Sequence, residues 1–283
     1  MKKILLTGKT GQVGHELQRT LAPLGEVIAV DRAGLDLANQ EALRRTLRKL
    51  RPDIIVNAAA YTAVDRAEDE AQLAHAGNAI APGVMAEEAR ELGALLVHYS
   101  TDYVFDGSKA GAYREDDATN PLNVYGRSKL AGEQAIIASG CRHLIFRTSW
   151  VYGLRGKNFL RTMQALAAQR QELRVVSDQI GAPTWSRLIA EATALAVRQD
   201  APSGLYHLSS GGSTSWHGFA QAILAAQGWA GTLHAIPASD YPTPAQRPAN
   251  SRLDHTKLGA ALGLALPDWR LALELCLADD AGR

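Results

Sequence analysis

Cysteine is scarce in this chain of 283 residues: Cys141 and Cys276 stand isolated, without metal-ligand spacing. That excludes a disulfide framework and a cysteine-built metal site, and it is the cysteine usage of a reducing compartment. An excess of charge is lacking too. The 30 Lys and Arg against 29 Asp and Glu leave a net charge of +1, and without a long Lys/Arg run there is no basic field for nucleic acid. No apolar run approaches the length of a transmembrane span. After Met1-Lys2-Lys3, only Ile4-Leu5-Leu6 is apolar before Thr7-Gly8, too short for the core of a signal peptide. Repeats and low-complexity segments are absent as well. What the chain has is apolar content, 46% of its residues, enough to bury the core of one large or two intimately joined domains. A soluble, cytoplasmic protein with neither nucleic-acid nor membrane partners is expected.

Short apolar runs alternate with amphipathic stretches. Strands are expected at Lys3–Thr7, Glu26–Val30, Ile54–Asn57, Leu95–Tyr99, Leu144–Thr148, Leu173–Val176 and Leu205–Leu208. Helices are expected at His15–Leu24, Gln40–Leu50, Ala79–Leu92, Val124–Ala138 and Asn158–Arg170. Continuous apolar character in most of the strands predicts a parallel sheet covered on both faces, hence an α/β, doubly wound Rossmann-type fold. After about Thr148 glycines and prolines loosen the pattern. The sequence therefore predicts a dinucleotide-binding domain over 1–150 and a smaller, mainly substrate-binding domain over 151–283. A strand near 205–209 returns to the main sheet, so the second domain is interleaved.

The first strand runs into Thr7-Gly8-Lys9-Thr10-Gly11-Gln12-Val13-Gly14 and then a helical stretch. Gly8 allows the turn, Gly11 admits a pyrophosphate, and Gly14 lets the helix pack on the strand, while the helix N-terminus offers free N–H groups to an anion. The second strand ends at Asp31, placed to accept ribose hydroxyls. Arg32 beside it can receive a 2′-phosphate, so the pair leaves NADH and NADPH both open.

Thr101 ends another strand, and Tyr125-Gly126-Arg127-Ser128-Lys129 opens a helix after a turn-rich segment. Tyr-x-x-x-Lys alone is a weak motif. Placed here, it puts phenol and ammonium on one helix face, where a cation is expected to lower the Tyr pKa towards the range of an acid–base catalyst. Thr101, Tyr125 and Lys129 read as the catalytic residues.

Gly8-x-x-Gly11-x-x-Gly14, Asn57-Ala58-Ala59-Ala60, Ser100-Thr101-Asp102 and Tyr125-x-x-x-Lys129 together resemble the extended short-chain dehydrogenase/reductases. Longer stretches narrow the resemblance: His98 to Phe105, Pro121 to Gly126, Arg147 to Gly153, Asp178 to Thr184 and Arg247 to Leu253 resemble the branch that acts on 4-keto-6-deoxy nucleotide sugars. The resemblance implies NAD(P)H-dependent reduction of the C4 ketone of dTDP-4-dehydro-6-deoxy-L-mannose to dTDP-L-rhamnose, a cell-surface sugar donor. It implies that Tyr125 is the general acid, Thr101 a hydrogen-bond partner of the same oxygen, and Lys129 the holder of the nicotinamide ribose. By the same resemblance Gly11, Gln12, Val13, Asp31, Asp36, Leu37, Ala60, Tyr61 and Thr62 line the cofactor. Asp102 and Trp150 face the sugar, and Arg247 either pairs with the substrate diphosphate or pins its Pro-rich loop.

Some relatives dimerise around a divalent cation such as Mg²⁺ held by glutamates, and Glu16 matches one such position. The other ligands have no match here: Arg187 and Leu188 precede Glu191, and the tail after Leu277 offers Asp279 and Asp280. Monomer and homodimer both stay open. His98 reads as a packed core residue, the cluster Asp65, Glu68, Asp69 and Glu70 as a solvated helix N-terminus, and Trp216, Trp229 and Trp269 as core or domain seam. Two other classes remain. A 4,6-dehydratase or epimerase would regenerate its cofactor, but dehydratases carry Thr-Asp-Glu where this chain has Thr101-Asp102-Tyr103. A non-catalytic regulatory subunit on the same fold would be expected to lose the Tyr or the Lys.

Overall fold

The computed structural model describes residues 1–281. The first half runs β1 (Lys2–Thr7), α1 (Gln12–Thr20), β2 (Gly25–Val30), α2 (Gln40–Leu50), β3 (Ile54–Asn57), α3 (Ala71–His75), α4 (Ala81–Leu92), β4 (Leu95–Thr101), α5 (Val124–Ser139) and β5 (His143–Thr148). The second half runs β6 (Val151–Tyr152), α6 (Phe159–Ala167), β7 (Glu172–Val176), β8 (Ile180–Gly181), β9 (Thr184–Trp185), α7 (Ser186–Arg198), β10 (Gly204–His207), β11 (Thr214–Ser215), α8 (Trp216–Ala226), β12 (Thr232–Ile236), α9 (Thr256–Leu262) and α10 (Trp269–Ala281).

Six strands form one parallel sheet in the order β10-β5-β4-β3-β1-β2. Side chains of a strand alternate between faces, and here both faces are covered. Ile4, Leu6, Val56, Val97 and Phe146 pack with Leu17 of α1, Leu21 just after it, Ile189 of α7 and Leu258 of α9. Leu5, Ile55, Leu96 and Ile145 pack with Leu43 and Leu47 of α2, Met85 of α4 and Ile136 of α5. Each such side chain, fully buried, stabilises the fold by about 1.5–3 kcal/mol. That two-sided demand is why the strands read as unbroken apolar runs rather than alternating ones.

The chain leaves β1 to lay β2 on one side, then crosses back to lay β3 on the other. At such a reversal the loops leaving the strand ends diverge and open a crevice. A second core, built from Tyr152, Leu160, Met163, Trp185, Phe219, Trp269 and Leu273 among others, lies in the smaller lobe. There Leu173–Val176 forms a strand, but it pairs with β12 and not with the main sheet. Its alternating exposure, with Glu172 and Arg174 outward, fits a sheet packed on one face. The first helix also differs from expectation: it begins at Gln12 and stops at Thr20, and Ala22–Leu24, containing Pro23, is a separate 3₁₀ turn. Among the described residues, no helix is long and apolar enough to cross a membrane.

Candidate active site

A cleft of about 660 Å³ opens at the ends of β1, β2, β3 and β4. Gly8, Gly11, Gln12, Val13, Asp31, Asp36, Leu37, Ala60, Tyr61, Thr62, Tyr125 and Lys129 all line it. Gly14 lies behind the lining. Its α-carbon packs on the Gly8 carbonyl so closely that a β-carbon would sit 2.1 Å from that oxygen, and Gly8 itself has φ of +75°. These two glycines make the turn and the tight helix–strand contact. Gly11 begins α1 without a side-chain cap, which leaves the leading N–H groups of the helix available to an anion in the cleft.

At the far end, Asp31 Oδ1 accepts the Gly34 amide at 3.1 Å and Oδ2 pairs with Lys9 Nζ at 3.3 Å. The Gly34 amide first, and Lys9 next, hold its carboxyl below the usual range. Arg32 is 77% exposed, with Asp36 at 3.8 Å. Lys9 was not singled out from the sequence. The signal is a lone cation inside the glycine loop, but its partner Asp31, just past the end of β2, shows only in the fold.

Thr101 ends β4, while Tyr125 and Lys129 stand on α5, whose first turn is capped by Asn123 Oδ1 accepting the Gly126 amide at 2.8 Å. A buried polar chain runs beneath them. Thr7 Oγ1 donates to Asn57 Oδ1 at 2.7 Å, the Asn57 amide meets His98 at 3.0 Å, and Lys129 Nζ lies 3.2 Å from the other ring nitrogen of His98 and 2.5 Å from the Tyr99 carbonyl. Burial lowers Lys129 to about 8, and burial together with Lys129 holds His98 well below 6.5. His98 is a core residue, yet one that positions the lysine, a role no spacing in the sequence reveals.

The expected depression of Tyr125 is not observed. Burial first, and the Asp102 carboxylate second, push its phenol up to about 12. The reason is geometric: the Lys129 ammonium is turned to Tyr99 and His98, and Tyr125 keeps Thr101 as its hydrogen-bonding neighbour.

Asp102 is buried beside Thr101, and the Tyr103 ring meets the Tyr125 ring edge-on at 5.6 Å. Trp150 has φ of +48°, in the left-handed region, and stacks on Trp216 at 3.6 Å between centroids. Arg247 forks onto Asp65 at 3.0 and 2.8 Å and so ties its Pro-rich loop to the segment that follows β3. The acidic cluster is correspondingly more than a solvated face. Besides Asp65, Glu68 accepts the Val124 amide at 2.9 Å and Glu70 accepts the Tyr61 hydroxyl at 2.6 Å. Glu16 is taken up by Arg19 and by Arg187, whose other arm reaches Asp279 at 2.8 Å. Among the described residues, no group of three His, Cys, Asp or Glu could hold a metal. Of the three tryptophans, Trp269 is buried in the small-lobe core, Trp216 stacks at the seam, and Trp229 is half-buried with Nε1 donating to the Arg170 carbonyl at 3.1 Å.

The model of the RmlD substrate binding domain family matches residues 1–281. The chain belongs to this family. Among relatives of this RmlD-family chain, dTDP-4-dehydrorhamnose reductase of Burkholderia thailandensis is 50% identical over 98% of each protein. The enzyme of the same name from Salmonella typhimurium is 50% identical over 98% of this chain and 97% of its own length. A solved structure of the Bacillus anthracis dTDP-4-dehydrorhamnose reductase in complex with NADP is 36% identical, with a TM-score of 0.94 over 98% of this chain and 99% of that one.

Proposed function

We propose that this protein is an NAD(P)H-dependent oxidoreductase that reduces the C4 ketone of dTDP-4-dehydro-6-deoxy-L-mannose to dTDP-L-rhamnose, acting in the cytosol. The observation that carries the reading is that Tyr125, with Thr101 as its neighbour at the end of β4, and Lys129 stand together at a cleft that Tyr125 and Lys129 line and that also holds an uncapped helix N-terminus and an Asp31–Lys9 pair. The donor set fits a dinucleotide. Gly11, Gln12 and Val13 would take the pyrophosphate, Asp31 the adenosine ribose, and Lys129 the nicotinamide ribose. When bound, the reduced nicotinamide supplies a hydride to the carbonyl carbon. Charge then grows on the ketone oxygen, where Tyr125 delivers a proton and Thr101 hydrogen-bonds the same atom. Trp150, held against Trp216, faces the sugar.

The relatives named dTDP-4-dehydrorhamnose reductase support the choice of sugar, and Lys9 and Arg32 beside Asp31 support use of NADPH as well as NADH. Reduced cofactor carrying deuterium at both positions of the nicotinamide C4 tests the reaction. Deuterium should appear at C4 of the sugar product. A product carrying no label, or label at any other carbon, would rule the reading out.

A further inference from the structure

Thr101 Oγ1 has more partners than its role at the ketone leaves room for. It accepts the Tyr103 amide at 3.2 Å, it donates to Asp102 Oδ1 at 3.0 Å, and the Tyr125 phenol is its hydrogen-bonding neighbour. A hydroxyl has one hydrogen and two acceptor positions. With Asp102 ionised, the Thr101 hydrogen is committed to the carboxylate and Tyr125 can only donate to Thr101. Both hydroxyls then point away from the ketone they are meant to serve. With Asp102 protonated the order reverses: the carboxyl donates to Thr101, Thr101 donates onward, and the Tyr125 hydrogen is free for the substrate.

The surroundings of Asp102 favour the second arrangement. The residue is 3% exposed; the buried Ser251 hydroxyl is a hydrogen-bonding neighbour of the carboxyl and favours its charge, but Oδ2 has no partner at full hydrogen-bond geometry among the described residues. An ionised carboxylate oxygen left buried and unpaired costs more than the same oxygen of a neutral carboxyl. The groups that face it are Thr101 from the end of β4, Tyr103 from the turn that follows it, Tyr125 from α5 and Ser251 from the loop that follows Arg247. The charges that reach Tyr103, Arg247 and Asp65, are paired with each other, and Lys129 is held by Tyr99 and His98.

We propose that Asp102 works as a neutral carboxylic acid that sets the direction of the hydrogen bonds through Thr101 to Tyr125, so that ketone reduction requires its proton. The inference rests on the reductase reading of the site. Asp102 is thus a positioning residue, acting through Thr101. As the Tyr125 O–H bond breaks and the new O–H bond forms on the sugar, the Thr101 hydrogen turns to the phenolate, while the Asp102 carboxyl keeps its own hydrogen and still donates it to the Thr101 oxygen. Tyr125 regains its proton from water after product leaves. Burial raises Asp102 to about 6, in keeping with this state, and its charge when ionised pushes the Tyr125 phenol further from use.

The test compares pH profiles of wild type, Asp102→Asn and Asp102→Ala with the 4-keto sugar and NADPH. Asparagine keeps an N–H donor towards Thr101 and cannot ionise. Wild type should lose rate at about tenfold per pH unit on the alkaline side, near pH 6 in kcat/KM and at higher pH in kcat, where bound sugar further desolvates the carboxyl. Asp102→Asn should lose that limb while Asp102→Ala loses about tenfold or more in kcat at every pH. The limb persisting in Asp102→Asn, or a loss confined to KM, would overturn the inference. An infrared titration of the free protein reads the carboxyl without turnover: a protonated C=O stretch absent from Asp102→Asn should fade as the pH rises through about 6. Its fading instead near the ordinary Asp value of about 3.9 would also overturn the inference. Failure of wild type to reduce the ketone at any pH counts against the reductase reading, and the infrared titration then still decides whether Asp102 holds its proton.

Discussion

Tyr125 donates the proton in this account, although its phenol is held high in the free protein. A high pKa suits a group that must keep its hydrogen until charge appears on the ketone oxygen. Tyr125→Phe should therefore retain the fold and cofactor binding and lose about 10²–10⁴-fold in kcat, the usual range for general acid catalysis. Near-normal turnover in that variant would remove Tyr125 from the role. At the other end of the cleft, Asp31 repels a 2′-phosphate while Lys9 and Arg32 attract one. Asp31→Ala should shift the kcat/KM ratio towards NADPH and Lys9→Ala towards NADH, and opposite shifts would show that these groups do not meet the ribose. Tyr125, Lys129 and Thr101 are legible in the sequence because each lies in a local motif whose spacing has a geometric meaning. His98, Asp65 and Lys9 are not, because each acquires its role from a partner many residues away.

On α5, the catalytic helix is fastened to the sheet by Glu133. Its carboxylate receives a two-pronged pair from Arg147 of β5, at 2.9 and 2.7 Å, and the Ser100 hydroxyl of β4. All three side chains are buried. Removing one partner of such a pair leaves an uncompensated charge in the interior, at a cost of about 3–5 kcal/mol. Arg147→Met should lower the urea unfolding free energy by that order, and a change under about 1 kcal/mol would show the pair to be dispensable. Elements with a strong period are read well from sequence: Ile54–Asn57 and Gln40–Leu50 have the expected bounds. The two-residue strands β6, β8, β9 and β11 have no period to read, and β12 has a weak one, so the small lobe stays largely hidden until its partners are placed.

For the molecule as a whole, the buried histidines set the response to acid. Burial holds His98 well below its ordinary value of 6.5 and His207 at about 3. Below pH 6.5 the unfolded chain thus binds protons that the native protein excludes, and stability rises with pH across that window. Acidification from about 6.5 towards 3 should cost up to about 1.4 kcal/mol per pH unit for each histidine. Asp102 has the opposite sign. Raised to about 6, it binds a proton in the native state first and gains stability as pH falls from about 6 to 3.8. Two histidines outweigh one carboxyl, so urea midpoints should fall between pH 7 and 4, and a flat or rising profile would contradict the burial described. The sheet order, with β2 at one edge and β10 at the other, brings sequence-distant strand ends to one crevice, and the central claim concerns what that crevice does. The protein is an NAD(P)H-consuming ketone reductase and does not recycle its cofactor as a dehydratase would. The most direct measurement supplies it, in separate reactions, with dTDP-4-dehydro-6-deoxy-L-mannose plus NADPH and with dTDP-glucose plus NAD⁺, following cofactor absorbance and sugar mass together. One NADPH should be oxidised per keto sugar reduced, with no loss of water from dTDP-glucose; conversion of dTDP-glucose to its 4-keto product without net cofactor change would show a dehydratase instead.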